Sequence, residues 1–353
     1  MKETSKSLAV VMPVFNGEAY LAEMLDSVMA QTYSDWQLIV VDDGSTDATL
    51  PILEDYSKKD DRIKVVSRPR PPKGAQTCRN TGLELTEGAE YVIFFDADDV
   101  VAPYCFEQRV KYMKKNPELD FAIFPARTFS EHISNNRDTY YGVKFLEEDD
   151  LCSFFWGKVP FVVWNNIYRR SSIVRQQLFW DERLLSRQDA DFNIQAILKG
   201  LKYKYAESAR IDYYYRMSAS SSISKDIKSM RHQESHLYLL LKILDSLSEG
   251  QKSSYRMPLN NYVIEFTRFF VLNKSWQLFS QLLQHPWVKG QKGYTFRLKL
   301  FFVLLGYVVK SGHSHYSDVP TRLLFPSIYK ALKSRRAKYV ATVEIFAKNV
   351  FES

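Results

Sequence analysis

Through the first 125 residues, short apolar runs that end in polar turns alternate with segments whose apolar residues recur every three or four positions. The first run, Ser7 to Pro13, predicts a buried strand, with Pro13-Val14-Phe15-Asn16-Gly17 as the loop at its carboxyl end. Leu21, Met24, Leu25, Val28 and Met29 then share one helical face. Trp36 to Val41 predicts a second buried strand, closed by Asp42-Asp43-Gly44-Ser45-Thr46-Asp47. There glycine permits a tight turn, and Ser45 or Thr46 can cap a helix running toward Tyr56. Ile63 to Ser67 reads as a third strand, Arg68 to Gly74 as a Pro-rich basic loop, and the next helix carries Arg79 and Asn80. Tyr91 to Phe95 is wholly apolar and runs into Asp96-Ala97-Asp98-Asp99. Pro103 opens a helix that ends near Asn116, and Phe121 to Pro125 predicts a further strand. This alternation implies an α/β domain with a parallel sheet and right-handed crossovers.

Beyond Arg127 the pattern loosens. Glu147 to Asp150 is acidic, Phe154-Phe155-Trp156 is aromatic, and Phe161 to Tyr168 reads as a strand carrying Trp164-Asn165-Asn166. Arg187-Gln188-Asp189-Ala190-Asp191-Phe192 opens a helix that continues to Gly200, where acids in the first turn suit the helix dipole whatever else they do. Tyr213 to Arg216 ends a strand and leads into the Ser-rich loop Ser218 to Ser224. From about Lys228 helical periods dominate, which sets an expected domain division into residues 1–225 and a mainly helical 226–353.

Composition adds little until the charges are mapped. The net charge is +7, but residues 226–353 hold 19 Lys and Arg against 8 Asp and Glu, net +11, leaving 29 against 33, net −4, for residues 1–225. Lys330, Lys333, Arg335, Arg336 and Lys338 are interleaved with Tyr329, Leu332 and Tyr339. That suits either a helix lying on an anionic membrane surface or one covering its own core. Leu300 to Val309 is short of the ~20 apolar residues that span a bilayer. Cys78, Cys105 and Cys152 are odd in number and widely spaced, so neither a disulfide framework nor a cysteine zinc site is indicated. With a polar Met1 to Ser7, the expected place is the cytoplasm, or the inner face of the cytoplasmic membrane. His232 and His236 stand one helical turn apart, but no third ligand for zinc is near in sequence.

In an open parallel sheet, ligands bind at the carboxyl edge of the strands, which is where Asp96, Asp98 and Asp99 fall. Carboxylates this close repel unless a cation shares the site, and hard Mn²⁺ or Mg²⁺ choose such oxygens. The residues alone thus suggest a metal holding a phosphorylated ligand, against the plainer reading of a solvated acidic turn. The chain has neither G-x-G-x-x-G after its first strand nor a P-loop. Nucleic acid is disfavoured as a partner, because the acidic edge repels phosphates that bring no metal.

Taken together, Pro13-Val14-Phe15-Asn16 with Glu18, Gln31-Thr32, Val41-Asp42-Asp43-Gly44-Ser45-Thr46-Asp47, Arg79-Asn80-Thr81-Gly82, Asp96-Ala97-Asp98-Asp99 and Gln188-Asp189 with Phe192 resemble the family 2 glycosyltransferases of bacterial surface-polysaccharide type. The resemblance spans about residues 7–220. It implies the GT-A fold and an inverting transfer from a nucleotide-diphosphate sugar, expected to be a UDP-sugar, to a hydroxyl of a saccharide or lipid-linked saccharide. It implies that Pro13, Phe15 and Glu18 line the base and ribose, that Asp42 hydrogen-bonds the base, and that Arg79 approaches the phosphates. Asp96, with Ala97 beside it, would face the ribose, and Asp98 would ligate Mn²⁺ or Mg²⁺. Asp189 would be the catalytic base, with Asp191 as its rival and the spacing to Phe192 as arbiter; Gln188 replaces the Glu usual before the base. Asp99 could support the metal or the acceptor, Trp164 and Asn165 could meet the acceptor or pack in the core, and Arg216 could close over the diphosphate or lie on the surface. A sugar-phosphate nucleotidyltransferase would carry a glycine-rich basic loop that Pro13 to Glu18 lacks. A non-catalytic sugar- or membrane-binding protein would be free to lose Asp98 and Asp189, and both are present.

Overall fold

The computed structural model describes residues 6–130, 136–144, 149–217, 229–291, 293–310 and 319–336. Glu147 and Glu148, the Ser218–Ser224 loop, and Lys338 and Tyr339 lie outside the described residues. The chain divides into two compact units, both discontinuous in sequence. The first is Met1–Lys144, Pro160–Arg183 and Gln188–Ser221; the second is Phe145–Val159, Leu184–Arg187 and Ser222–Ser353.

The first unit begins with β1 (Leu8–Val14), α1 (Leu21–Met29), β2 (Trp36–Asp42), α2 (Thr49–Lys59), β3 (Ile63–Ser67), α3 (Ala75–Glu84) and β4 (Tyr91–Phe94). Every residue of β1, β2 and β4 is buried, as runs covered on both faces must be. Parallel pairing sets Val14 beside Asp42 and Val11 beside Phe94. The loops after β1, β2 and β4 therefore leave the sheet at one edge. Helix α2 starts later than Ser45 or Thr46 would allow, because those residues are used otherwise: Asn16 N–H donates to Ser45 Oγ, Thr46 N–H donates to Asn16 Oδ1, and Asp47 Oδ1 accepts from Thr49 N–H.

There follow β5 (Val100–Val101), α4 (Cys105–Lys115), β6 (Phe121–Ile123), β7 (Ala126–Phe129), β8 (Asn136–Tyr141), α5 (Asp150–Phe155, in the second unit), β9 (Asn166–Arg169), α6 (Arg170–Arg175), α7 (Gln188–Leu198), β10 (Tyr203–Tyr205) and β11 (Tyr213–Arg216). One sheet has the order β10-β6-β9-β4-β1-β2-β3 and a second the order β5-β11-β7-β8. The first is mixed rather than wholly parallel, since β9 runs antiparallel to both β4 and β6. The expected strand Phe161–Tyr168 is broken by a 3₁₀ turn at Val163–Asn165. Asn165 holds that turn, its Oδ1 accepting from Val162 N–H at 3.0 Å and its Nδ2 donating to Phe124 O at 2.7 Å. Beneath it, Arg109 and Asp212 form a fully buried ion pair (2.7 Å), and Arg109 also donates to Trp164 O at 2.8 Å. An ion pair so enclosed depends on both partners, because either charge left alone has no water to solvate it.

The second unit is helical among the described residues: besides α5 it has α8 (Met230–Ser246), α9 (Glu249–Ser254), α10 (Arg256–Leu272), α11 (Trp276–Gln284), α12 (Pro286–Gly290), α13 (Tyr294–Lys310) and α14 (Val319–Leu324). Helix α10 is its centre and packs on α5, α8, α11 and α13. His232 and His236 each engage Nδ1 within their own helix end. His236 Nδ1 lies 2.8 Å from the His232 carbonyl, its ring packs on Phe269, and burial pushes its pKa down to about 4. His232 Nδ1 meets Ser229 Oγ instead. No described helix is long and apolar enough to cross a membrane.

Candidate active site

The four-residue run after β4 sends its carboxylates in three directions. Phe95 N–H still bonds to Val11 O at 3.0 Å, so the chain is held to the sheet up to the first acid. Asp96 turns toward α3 and accepts from Arg79 Nη2 at 2.5 Å. Asp98 is partly exposed, and burial, then the negative charge of Asp96, pushes its carboxyl up to about 6. Asp99 turns inward, is 0% exposed, and accepts from the Tyr213 hydroxyl at 2.5 Å and the Arg216 N–H at 2.7 Å. Burial and its two acidic neighbours hold its carboxyl well above the ordinary range. Asp99 thus buttresses the turn and is enclosed from solvent, which speaks against direct contact with an acceptor and leaves its support of the Asp98 turn. Among the described residues no three His, Cys, Asp or Glu side chains converge as a ready ligand set.

Arg79 is the hinge of the site. It is 5% exposed, and besides Asp96 it donates from Nη1 to Gln188 Oε1 at 3.3 Å, lies 4.0 Å from Asp189 Oδ1, and rests 4.4 Å above the Trp180 ring centroid. Its Nε is buried without a hydrogen-bond partner. Gln188 is fixed in turn by donating from Nε2 to Gln76 Oε1 at 2.9 Å. The first turn of α7 presents Asp189 with 32% of its side chain exposed, while Oδ1 is buried without a hydrogen-bond partner. Burial is the main reason its carboxyl rises to about 6, with the Arg79 guanidinium opposing and Asp96 adding to the rise. Asp191, its rival in the sequence, is 1% exposed. Of the two, only Asp189 reaches solvent appreciably.

The rim is built from the loops after β1 and β2, laced together. Glu18 accepts from Ala48 N–H at 3.0 Å, and Glu18 N–H donates to Asp47 at 3.1 Å. Phe15 is 47% exposed and has Lys73 Nζ 3.4 Å from its ring centroid. Pro13 is buried in the strand. Asp42, expected to meet a base, is 2% exposed and is engaged by Gly44 N–H at 2.9 Å and Ser45 N–H at 3.2 Å, so it shapes the loop from beneath. Asp43 pairs with Arg68. Ala97 is half-buried between the diverging acids.

Packing bears on three further residues whose roles the sequence left open. Trp164 and Asn165 are 2% and 0% exposed, and the Trp164 ring stacks on Tyr213 and Tyr215 with centroids 4.7 and 5.4 Å away; both are core residues. Arg216 is 6% exposed and lies against the Asp98 turn rather than on the surface. Its Nε donates to Asp98 O at 2.7 Å, Nη2 reaches Glu23 at 2.5 Å, and its guanidinium lies 4.4 Å from the Tyr20 and Phe129 ring centroids. Tyr213, Gln76, Trp180 and Lys73 were not singled out from the sequence. The Tyr213–Tyr215 alternation, with two rings on one face of a strand, was the available signal for the first.

Residues 9–175 match the family described as Glycosyl transferase family 2. The Bacillus subtilis protein EpsH, which carries a glycosyltransferase name, is 29% identical over 274 residues, covering 76% of this chain and 77% of EpsH. S. aureus TarS 1–349, solved with UDP-GlcNAc, matches with TM-score 0.63 and 20% identity over 93% of this chain and 91% of that one. The mannosyltransferase PcManGT from Pyrobaculum calidifontis, solved with GDP-Man and Mn²⁺, matches with TM-score 0.54 and 14% identity over 99% and 88%. At such identities the solved structures speak for the fold. The chain is a glycosyltransferase that matches family 2 over residues 9–175, just under half of its length, and has the GT-A fold.

Proposed function

We propose that this chain transfers a sugar with inversion from a UDP-sugar to a hydroxyl of a saccharide or lipid-linked saccharide, in the assembly of a surface polysaccharide. The observation that carries the reading is a pair of unlike carboxylates held across one buried guanidinium, Asp96 at 2.5 Å and Asp189 at 4.0 Å from Arg79. One side of Arg79 belongs to the donor, the other to the acceptor. Phe15 and Glu18 offer the exposed rim to the base, Pro13, Asp42 and Ala97 set the backbone beneath it, and Asp96 faces the ribose. The UDP-GlcNAc bound by TarS supports uridine as the base.

A divalent cation fits the donor set. The Asp98 carboxyl is raised first by burial and then by the negative charge of Asp96, and a cation relieves both by stabilising the ionised form. A single carboxylate suits Mn²⁺ or Mg²⁺, which leave most positions to water and phosphate oxygens, and PcManGT was solved with Mn²⁺. When bound, the ion would offset the charge that develops on the departing diphosphate. Arg79, already desolvated and with Nε unmatched, adds a second positive charge on that side. Asp189 takes the proton of the attacking hydroxyl. One displacement inverts the anomeric carbon, and a retaining route would need a second nucleophilic carboxylate about 5 Å from the first.

The test is incubation with a panel of UDP-, GDP- and dTDP-sugars and Mn²⁺, following release of nucleoside diphosphate. UDP release with inversion, read from the anomeric proton coupling of the product, is expected. Release from no donor would overturn the reading.

The pH dependence has a definite sign. Asp189 works as a carboxylate, so its raised pKa of about 6 places the acid limb of kcat/KM near pH 6 rather than near 4, with activity lost as pH falls. Gln188→Glu would add a negative charge beside Arg79 and move that limb up by roughly one unit. A limb near pH 4 in the wild type, from rates at fixed ionic strength and saturating cation, would contradict the base assignment.

A further inference from the structure

Helix α13 is apolar on two opposite faces. One face is spoken for: Leu298, Phe301 and Leu305 are 0% exposed, and the rings of Tyr294 and Phe301 pack on Phe325. Diametrically across the helix stand Phe296, Leu300, Val303 and Tyr307, spaced by four, three and four residues. At about 100° per residue they fall within roughly 60° of arc. Phe296 is 70% exposed, Val303 60% and Tyr307 73%, with Leu300 partly buried between them. A soluble helix that packs one face presents polar groups on the other, and α13 does not.

The charges beside this stripe have one sign. Exposed Arg297 and Lys299 flank it on either side. The neighbouring α14, which packs on α13, exposes Arg322 together with Leu323 at 64%. Lys330, Lys333 and Arg336 in the following helical stretch 326–336 are exposed too. From residue 266 to 343 the sequence holds 13 Lys and Arg against a single acid, Asp318. A stripe of aromatic and aliphatic side chains between rows of cations is complementary to a surface that is apolar just beneath an anionic layer. A second copy of this chain offers no such surface here, because the same basic region would face itself.

We propose that the outward face of α13 docks the enzyme on an anionic phospholipid bilayer, with Phe296, Val303 and Tyr307 entering the headgroup region and Arg297 and Lys299 meeting lipid phosphates. This stands independently of the donor and base assignments, since none of these residues belongs to the catalytic unit.

The experiment is co-sedimentation of the full chain with vesicles of phosphatidylglycerol and phosphatidylcholine in equal parts, and with phosphatidylcholine alone. Binding to the first and not to the second, reversed by salt, is expected. The triple change Phe296→Ser, Val303→Ser, Tyr307→Ser should weaken partitioning on the order of a hundredfold. Arg297→Gln with Lys299→Gln should weaken it about fivefold per charge. The charge pair keeps the test alive should the triple variant fold poorly, which its melting curve reports. Failure of the wild type to bind anionic vesicles, equal binding to both vesicle types, or binding unchanged in either variant would overturn the proposal. So would light scattering that shows a dimer dispersed by the triple change, with no lipid binding, since the stripe would then belong to a second copy.

Discussion

Asp189→Asn is expected to lower kcat on the order of 10³-fold while leaving the affinity for UDP within about twofold, the range that loss of a positioned general base produces. The change is nearly isosteric. Asp189 Oδ1 has no hydrogen-bond partner to lose, and Arg79 keeps its contact of 2.5 Å with Asp96. The stability effect also has a sign. A carboxyl whose folded pKa is raised contributes stability below its unfolded value, about 3.8, and loses it as pH rises through about 6. At pH 7.5 the ionised Asp189 is therefore a cost to the fold, and the asparagine variant should melt no lower than the wild type. A thousandfold loss of turnover with an unchanged or raised Tm separates a chemical role from a structural one. A collapse of Tm, or a kcat near wild type, would remove Asp189 from the base role.

Asp98→Ala carries the second large effect, and it falls on the other substrate. Asp98 is the one partly exposed carboxylate of its run that is neither paired with Arg79 nor enclosed with Tyr213. Without it, the cation-dependent part of donor binding should disappear, so UDP affinity in Mn²⁺ falls to its value in EDTA. Turnover should fall by at least about 10²-fold, because stabilising the leaving diphosphate is worth several kcal/mol. The fold should not suffer, since alanine removes one of the charges that oppose Asp99. UDP affinity that still rises with Mn²⁺ in this variant would move the cation to another residue.

The acidic edge of the sheet was readable because it is made by strands buried on both faces. The apolar runs Leu38 to Val41 and Tyr91 to Phe95, which stop at Asp42 and Asp96, fix where the backbone leaves the sheet, and acids there have few places to go. What could not be read is which neighbour turns inward. Asp98 and Asp99 are adjacent, and their fates are decided by Tyr213 and Arg216, 114 and 117 positions away from Asp99 in the sequence. Trp164 was drawn into the core by Tyr213 and Tyr215 for the same reason. The break in the expected strand Phe161–Tyr168 comes with an asparagine that holds a 3₁₀ turn, a local bond against which strand propensity carries little weight. In α13 the apolar run Leu300 to Val309 was legible, but its period alone cannot say that one stripe packs inward and the opposite one outward.

Calorimetric titration with UDP, with and without Mn²⁺, run side by side on the wild type, Asp98→Ala and Asp189→Asn, reaches the central division of labour most directly. Cation-dependent UDP binding that is abolished in Asp98→Ala and preserved in Asp189→Asn places the donor on Asp98 and leaves Asp189 free for the acceptor proton. Equal loss in both variants, or UDP binding indifferent to Mn²⁺ in the wild type, would contradict that division.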